Sequence, residues 1–283
     1  CLIGGNLFMI IQHNIGAINA HRNLFNNTWE VQKNIEKLSS GYRINRSADD
    51  AAGLAISEDM RSRINGIDQA TVNAQDAIGL IQTAEGALTE THAMLQRMVT
   101  LATQSANGTY NTTARNAIQS EMSALYNEID RIANNTKFNG VQPLVAAATG
   151  ATPIQFQIGP TAAETLKITP QQMTTSNSGL AIGTLTVTSL TDANAAITKI
   201  EAAITKVSTY RAQLGAAQNR LEHTINNLKV TSENMTAAES RIRDTDMAKE
   251  MSAFTKNNIL IQASQAMLAQ ANQTPQGILQ LLR

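Results

Sequence analysis

Residues 54–104 read LAISEDMRSRINGIDQATVNAQDAIGLIQTAEGALTETHAMLQRMVTLATQ. Met60, Ile67, Ala74, Ile81, Leu88, Leu95 and Ala102 follow one another at a strict spacing of seven. A seven-residue apolar repeat keeps one seam of an α-helix facing a partner helix, so this stretch predicts one long coiled-coil helix. Ala70, Ala77 and Ala84 flank the seam and let a neighbouring backbone approach closely. A second seam of similar length lies near the other end of the chain, at Ile200, Val207, Leu214, Leu221, Leu228 and Met235. The expected fold is mainly α, a long antiparallel α-helical coiled-coil bundle built from N- and C-terminal segments, with a small β-hairpin region in the middle. Two such helices alone are marginal once the entropy of ordering them is counted, so a third helix or neighbouring subunits must help.

Between the seams, Ile118, Met122, Leu125, Ile129 and Ile132 carry the period of a shorter amphipathic helix. It is expected to start at Thr112 or Thr113 as cap and to stop in the Asn134–Asn135 region. Ile154, Phe156 and Ile158 alternate with glutamines, Gly159-Pro160 interrupts, and Leu166 and Ile168 alternate again, which is the pattern of a β-hairpin. Leu185 and Val187 suggest a further strand before helix resumes near Thr191 or Asp192, and residues 146–153 read as loop. At the extreme ends, Ile15, Ile18, Trp29, Val31, Ile35 and Leu38, and Met247, Met251, Phe254, Ile261, Leu268 and Leu279, mark two more helices. Each isolated end is expected to order only when its apolar stripe finds a partner.

Composition narrows the function. Hydrophobic residues make up 42% of the 283 residues but aromatic ones only 4%, which favours close helix packing over a bulky globular core. Lys plus Arg and Asp plus Glu number 22 each, so no basic surplus points to nucleic acid or an anionic membrane. The single cysteine, Cys1, excludes an internal disulfide or a cysteine zinc site. The run Leu7–Ile11 is too short for a membrane span and has no basic region before it, so no cleavable secretory signal is expected. His13, His21, His92 and His223 have no metal-binding spacing, and Asp49, Asp50, Glu58 and Asp59 read as a capping or solvated cluster rather than an acid/base pair. No cofactor, metal or catalytic set is expected.

The words LSSGYRINRSADDAAGLAISE (38–58) and NAQDAIGLIQTAEGALTE (73–90) resemble the N-terminal signature of bacterial flagellins. RAQLGAAQNRLEHTINNL from Arg211, SRIRDTDMAKE from Ser240 and MLAQANQTPQGILQLLR from Met267 resemble the C-terminal signature. Locally, Gly41 relieves strain where the terminal helix ends, and Ser47 with Asp49 and Asp50 is read as the cap of the long helix. The resemblance implies residues 9–46 plus 244–283 as an inner-tube terminal helix pair. It implies 47–243 as a rod domain of two long helices, a shorter helix and a β-hairpin at about 140–190. Residues 1–8, before the Met9 that matches the usual family start, stand as an extra N-terminal segment of unknown origin.

What the resemblance implies for function is a non-enzymatic subunit, exported through the flagellar type III apparatus, that polymerises outside the cell as the filament for swimming. A short form without outer domains is expected. The seam residues Met60, Ile67, Ile81, Leu88, Leu95, Ile200, Val207, Leu214, Leu221 and Leu228 are then candidate assembly positions. Partners implied are further copies of the chain, an export chaperone, and cap and junction proteins, with no nucleic acid and no membrane insertion. LQRMVTLATQ (95–104) resembles the patch read by Toll-like receptor 5, through Leu95, Gln96, Arg97, Leu101 and Glu121. Val99 and Thr100 stand where an Arg-Glu pair is frequent, which implies reduced affinity; alternatively Leu95 and Leu101 pack between subunits. GILQLLR, with Ile278, Leu279, Leu281, Leu282 and Arg283, resembles the end detected by intracellular flagellin sensors, and equally an assembly stripe. The hook-filament junction protein is the nearest alternative; a signalling coiled coil or an enzyme is further off.

Overall fold

A computed structural model describes residues 13–145, 153–183 and 185–281, with side chains described as far as Gln273. Residues 1–8 and the side chains of Ile278, Leu279, Leu281, Leu282 and Arg283 lie outside the described residues. In chain order the elements are α1 (Ile15–Ser40), α2 (Ala51–Ser105), α3 (Thr112–Asn135), β1 (Ile154–Gln157), β2 (Thr165–Ile168), α4 (Leu190–Arg243) and α5 (Met247–Leu281). The chain packs as two compact units, Cys1–Ser62 with Met235–Arg283, and Arg63–Asn234. The divisions fall inside α2 and α4.

In the unit 63–234, α4 lies antiparallel to α2, with Arg211 reaching Glu85 at 3.5 Å and Ser232 donating to Asp68 at 3.1 Å. The flanking Ala70, Ala77 and Ala84 are buried, as close approach requires, and Ala74, Ile81, Leu88, Leu95, Ile200, Val207 and Leu221 have no exposed surface. α3 supplies Ile118, Met122, Tyr126 and Ile129 to the same core, so the third helix closes the seam within one chain. Asn111, not Thr112 or Thr113, caps α3: its side chain accepts the Ala114 N–H at 2.8 Å. Asparagine places its acceptor on the helix's free N–H groups as well as threonine does.

β1 and β2 pair antiparallel with Ile154 opposite Ile168 and Phe156 opposite Leu166. The expected third strand at Leu185 and Val187 does not form. Both side chains are buried, which explains the alternation, but side chains take the Leu185 carbonyl and both Val187 backbone groups. Gln119 donates to the Leu185 carbonyl and accepts the Val187 N–H, and Ser105 donates to the Val187 carbonyl at 2.5 Å. Burial with period two therefore marks a segment laid across α2 and α3, not a ladder. Tyr126 also bonds the Leu185 carbonyl, and burial pushes its hydroxyl up to about 12. Helix resumes at Leu190 with Ser189 as its cap, accepting the Asp192 N–H and donating to the Asp192 carboxylate.

The loop before that segment is held by Asp130, which accepts both the N–H and the hydroxyl of Thr175 at 2.7 and 2.6 Å. Within it Ala181 sits at φ 60°, a left-handed conformation that costs an L-residue about 1–2 kcal/mol. Glycine escapes that strain and loses part of the gain, about 0.5–1 kcal/mol, to chain entropy. Ala181→Gly is therefore expected to raise the thermal midpoint slightly, measured by calorimetry on the monomer. A lower midpoint would show that the methyl group packs to advantage.

Candidate assembly surface

The other unit carries the terminal helices. α1 ends at Lys37–Ser40 and Gly41 (φ 75°) closes it, donating its N–H to the Lys37 carbonyl at 2.9 Å. The two connectors then pair with each other: Thr245 N–H donates to Gly41 carbonyl, Arg43 N–H to Arg243 carbonyl, and the Arg43 guanidinium to the Ile242 carbonyl. Arg243 lies over the Tyr42 ring, 4.6 Å from its centre, and bonds Glu58 at 2.5 Å. Ser47 is not the cap of α2; Asp50 accepts the Gly53 N–H at 2.9 Å, while Asp49 accepts those of Asn45 and Arg46. The carboxylate nearest the first free N–H wins, and Ser47 lies one turn too early. Those backbone bonds, that of Arg46 first, hold the Asp49 carboxyl below its usual range.

The bond from Arg243 also lowers the Glu58 carboxyl below its usual value. A depressed carboxylate contributes stability that is fully present above about pH 4.5, its unfolded value, and lost as pH falls through the folded one. The protection factors of the Arg43 and Thr245 amides, which divide out the intrinsic slowing of exchange in acid, are therefore expected to hold at neutral pH and to fall as pH drops below that range. In Glu58→Gln the acid dependence should flatten.

α1 and α5 run antiparallel and pack on each other. Their contact follows heptads of unusual make-up. On α1 one line is Ala17, Leu24, Val31 and Leu38, and the other is Ala20, Asn27 and Asn34; on α5 one line is Phe254, Ile261 and Leu268, and the other Glu250, Asn257, Ser264 and Ala271. The polar lines meet. Asn27 donates to the Ser264 hydroxyl at 3.2 Å, and Asn14 to the Ala271 carbonyl at 2.6 Å. Asn34, only 4% exposed, satisfies its neighbours in the amide orientation that donates to Glu250 at 2.9 Å and accepts from Asn257 at 3.0 Å, the orientation its surroundings assign. Lys37 adds an ion pair to Glu250 at 3.9 Å. Large apolar residues face outward instead: Ile15, Ile18, Phe25, Trp29 and Ile35 on α1, and Met247, Met251, Ile259, Leu260 and Met267 on α5, from 39% to 66% exposed. A pair that points its bulkiest hydrophobic groups at water is built to be covered.

Two family models match, that of the bacterial flagellin N-terminal helical region over residues 11–149 and that of the C-terminal helical region over 197–282. The chain belongs to the bacterial flagellin family. It is 54% identical to a flagellin of Halalkalibacterium halodurans and 53% identical to one of Bacillus subtilis, each match covering 97% of this chain and 100% of the relative. A crystal structure of Bacillus cereus flagellin aligns with a TM-score of 0.50 and 36% identity, over 59% of this chain and 94% of that one. As a flagellin, it is an extracellular structural subunit of the flagellar filament and not an enzyme.

Within this flagellin the predicted residues fall into separate places. Ile67, Ile81, Leu88, Leu95, Ile200, Val207, Leu214, Leu221 and Leu228 are buried inside the chain, so they hold the subunit together and are not on its surface; Met60 is half-buried. Of the residues resembling a receptor patch, Gln96, Arg97 and Glu121 are exposed, and Arg97 pairs with Glu121 at 2.8 Å. Leu95 and Leu101 are buried in the subunit's core instead. The polar line Asn27, Asn34, Asn257 and Ser264 was missed by reading apolar periodicity alone; asparagines seven apart on a helix were the available signal. Among the described residues no group of His, Cys, Asp and Glu forms a metal site, and no helix is long and apolar enough to cross a membrane.

Proposed function

We propose that this flagellin polymerises through the outward apolar faces of α1 and α5, giving a filament that transmits motor torque for swimming. The observation that carries the reading is the bare row from Ile15 to Ile35 set against that from Met247 to Met267, on a helix pair whose inner contact is partly polar. In this reading residues 9–46 with 244–283 form the inner-tube pair and 47–243 the surrounding rod. Export as an unfolded chain, with chaperone, cap and junction partners, belongs to the same reading. The test is to remove residues 9–35 or 248–283 and add a precipitating salt. The full chain should form filaments visible by electron microscopy, and both truncated chains should remain soluble monomer. Ordinary filaments from either truncation would overturn the assignment.

A second role is recognition by Toll-like receptor 5, favoured by the exposed Arg97–Glu121 pair with Gln96 on adjoining helices. Val99 and Thr100, half-buried and exposed, offer no charge there, so binding is expected to be weak. Mixing purified monomer with the receptor ectodomain tests it, and no binding at micromolar concentration ends it. Detection of the Gly277–Arg283 end by intracellular sensors is kept on resemblance alone.

A further inference from the structure

We infer that the polar line between α1 and α5 selects which face of α1 meets α5 and in what register. The inference deepens the assembly reading and rests on it. Burial alone would choose differently. The inner face of α1 offers Ala17, Leu24, Val31 and Leu38, whereas the outer face offers Ile15, Ile18, Phe25 and Trp29, which are larger. Turned by half a revolution, α1 would bury more apolar surface against α5. It would then leave Asn257, Ser264 and Glu250 facing Phe25 and Trp29 without partners, and unpaired polar groups in a helix contact are costly.

The same groups read register. A slip of three or four residues sets Asn27 and Asn34 against the line Phe254, Ile261 and Leu268. A slip of a whole heptad one way brings Asn27 opposite Ala271, and the other way brings Ser264 opposite Ala20, so one member of the line always loses its bond. Only the observed register pairs Asn14, Asn27 and Asn34 together. A single buried asparagine is enough to set register in other coiled coils. Here the line has a second consequence: the outer hydrophobic groups stay available to other copies because the polar groups claim the inside.

The test reads pairing by disulfide formation in salt-grown filaments of the full chain, in a Cys1→Ser background. Asn27→Cys with Ser264→Cys reports the observed face, and Arg22→Cys with Ala271→Cys reports the outer one. Asn34→Ala is added to each. The expected result is that Asn34→Ala lowers the 27–264 yield about tenfold and raises the 22–271 yield, since the hydrogen bonds lost by half-buried Asn257 and Glu250 together shift the balance by that order. An unchanged 27–264 yield would overturn the inference. So would a fall in 27–264 with no rise in 22–271, which is what mere loosening would give. Exchanging the partners, Asn27→Ser with Ser264→Asn, keeps the bond and should assemble as the parent does; loss of filaments there would also overturn it. If the parent chain itself forms no filaments in salt, the assembly reading fails and this one with it; filaments with scrambled pairing in the parent sink the inference alone.

Discussion

Replacing Phe25 and Trp29 together with glutamate should abolish filament growth without loosening the long-helix core. Both side chains are more than half exposed, at 66% and 54%, so neither contributes much to the packing of the subunit that carries it. Covering an aromatic group in a polymer contact is worth about 1.5–3 kcal/mol, and a carboxylate placed there adds a desolvation cost. Two such losses raise the concentration needed for polymerisation by at least about a hundredfold. Sedimentation after salt addition measures this, and circular dichroism should show an unchanged melt. If the variant polymerised at the parent's concentration, the outer faces of the terminal pair could not be the contact. Trp29 is the chain's only tryptophan, so in the parent its emission should shift to the blue as filaments form.

Leu95→Ala should cost about 2–5 kcal/mol, because Leu95 has no exposed surface and the cavity left among α2, α3 and α4 cannot collapse fully. In a unit of this size that lowers the thermal midpoint by roughly 5–15 °C. Arg97→Ala should leave the stability within about 1 kcal/mol of the parent's, since its pair with Glu121 is solvent-exposed. The contrast matters for recognition. Weaker receptor binding in Leu95→Ala would follow from unfolding and should recover on cooling, whereas in Arg97→Ala it would persist at every temperature. A parent-like melt for Leu95→Ala would mean that the side chain is not core.

Much of the architecture was legible because heptads report helices directly. The seams at Met60–Ala102 and Ile200–Met235 became α2 and α4, and the alternation around Gly159-Pro160 became β1 and β2. Capping was read one position or one turn away from where it occurs: Asn111 and Asp50 do what Thr112 or Thr113 and Ser47 were expected to do. Any short polar side chain near a helix start can cap, and only the backbone's path decides which one reaches a free N–H. The segment at Leu185 and Val187 failed differently. Its alternation records burial correctly, yet the bonding partners are Gln119, Ser105 and Tyr126, residues far away in the chain.

By itself the sequence determined that long helices near the two ends would pack together, that the middle would hold a hairpin, and that the chain would be a flagellin. The tertiary structure alone decided which apolar residues are core and which are surface. The seam of α2 turned inward onto α3 and α4, so Leu88 and Leu95 lie in the core of the subunit itself. On α1 the larger hydrophobic groups turned outward, while Asn27 and Asn34 meet hydrogen-bond partners on α5. Periodicity tells which residues share a face; which face meets a partner depends on complementary groups hundreds of residues away.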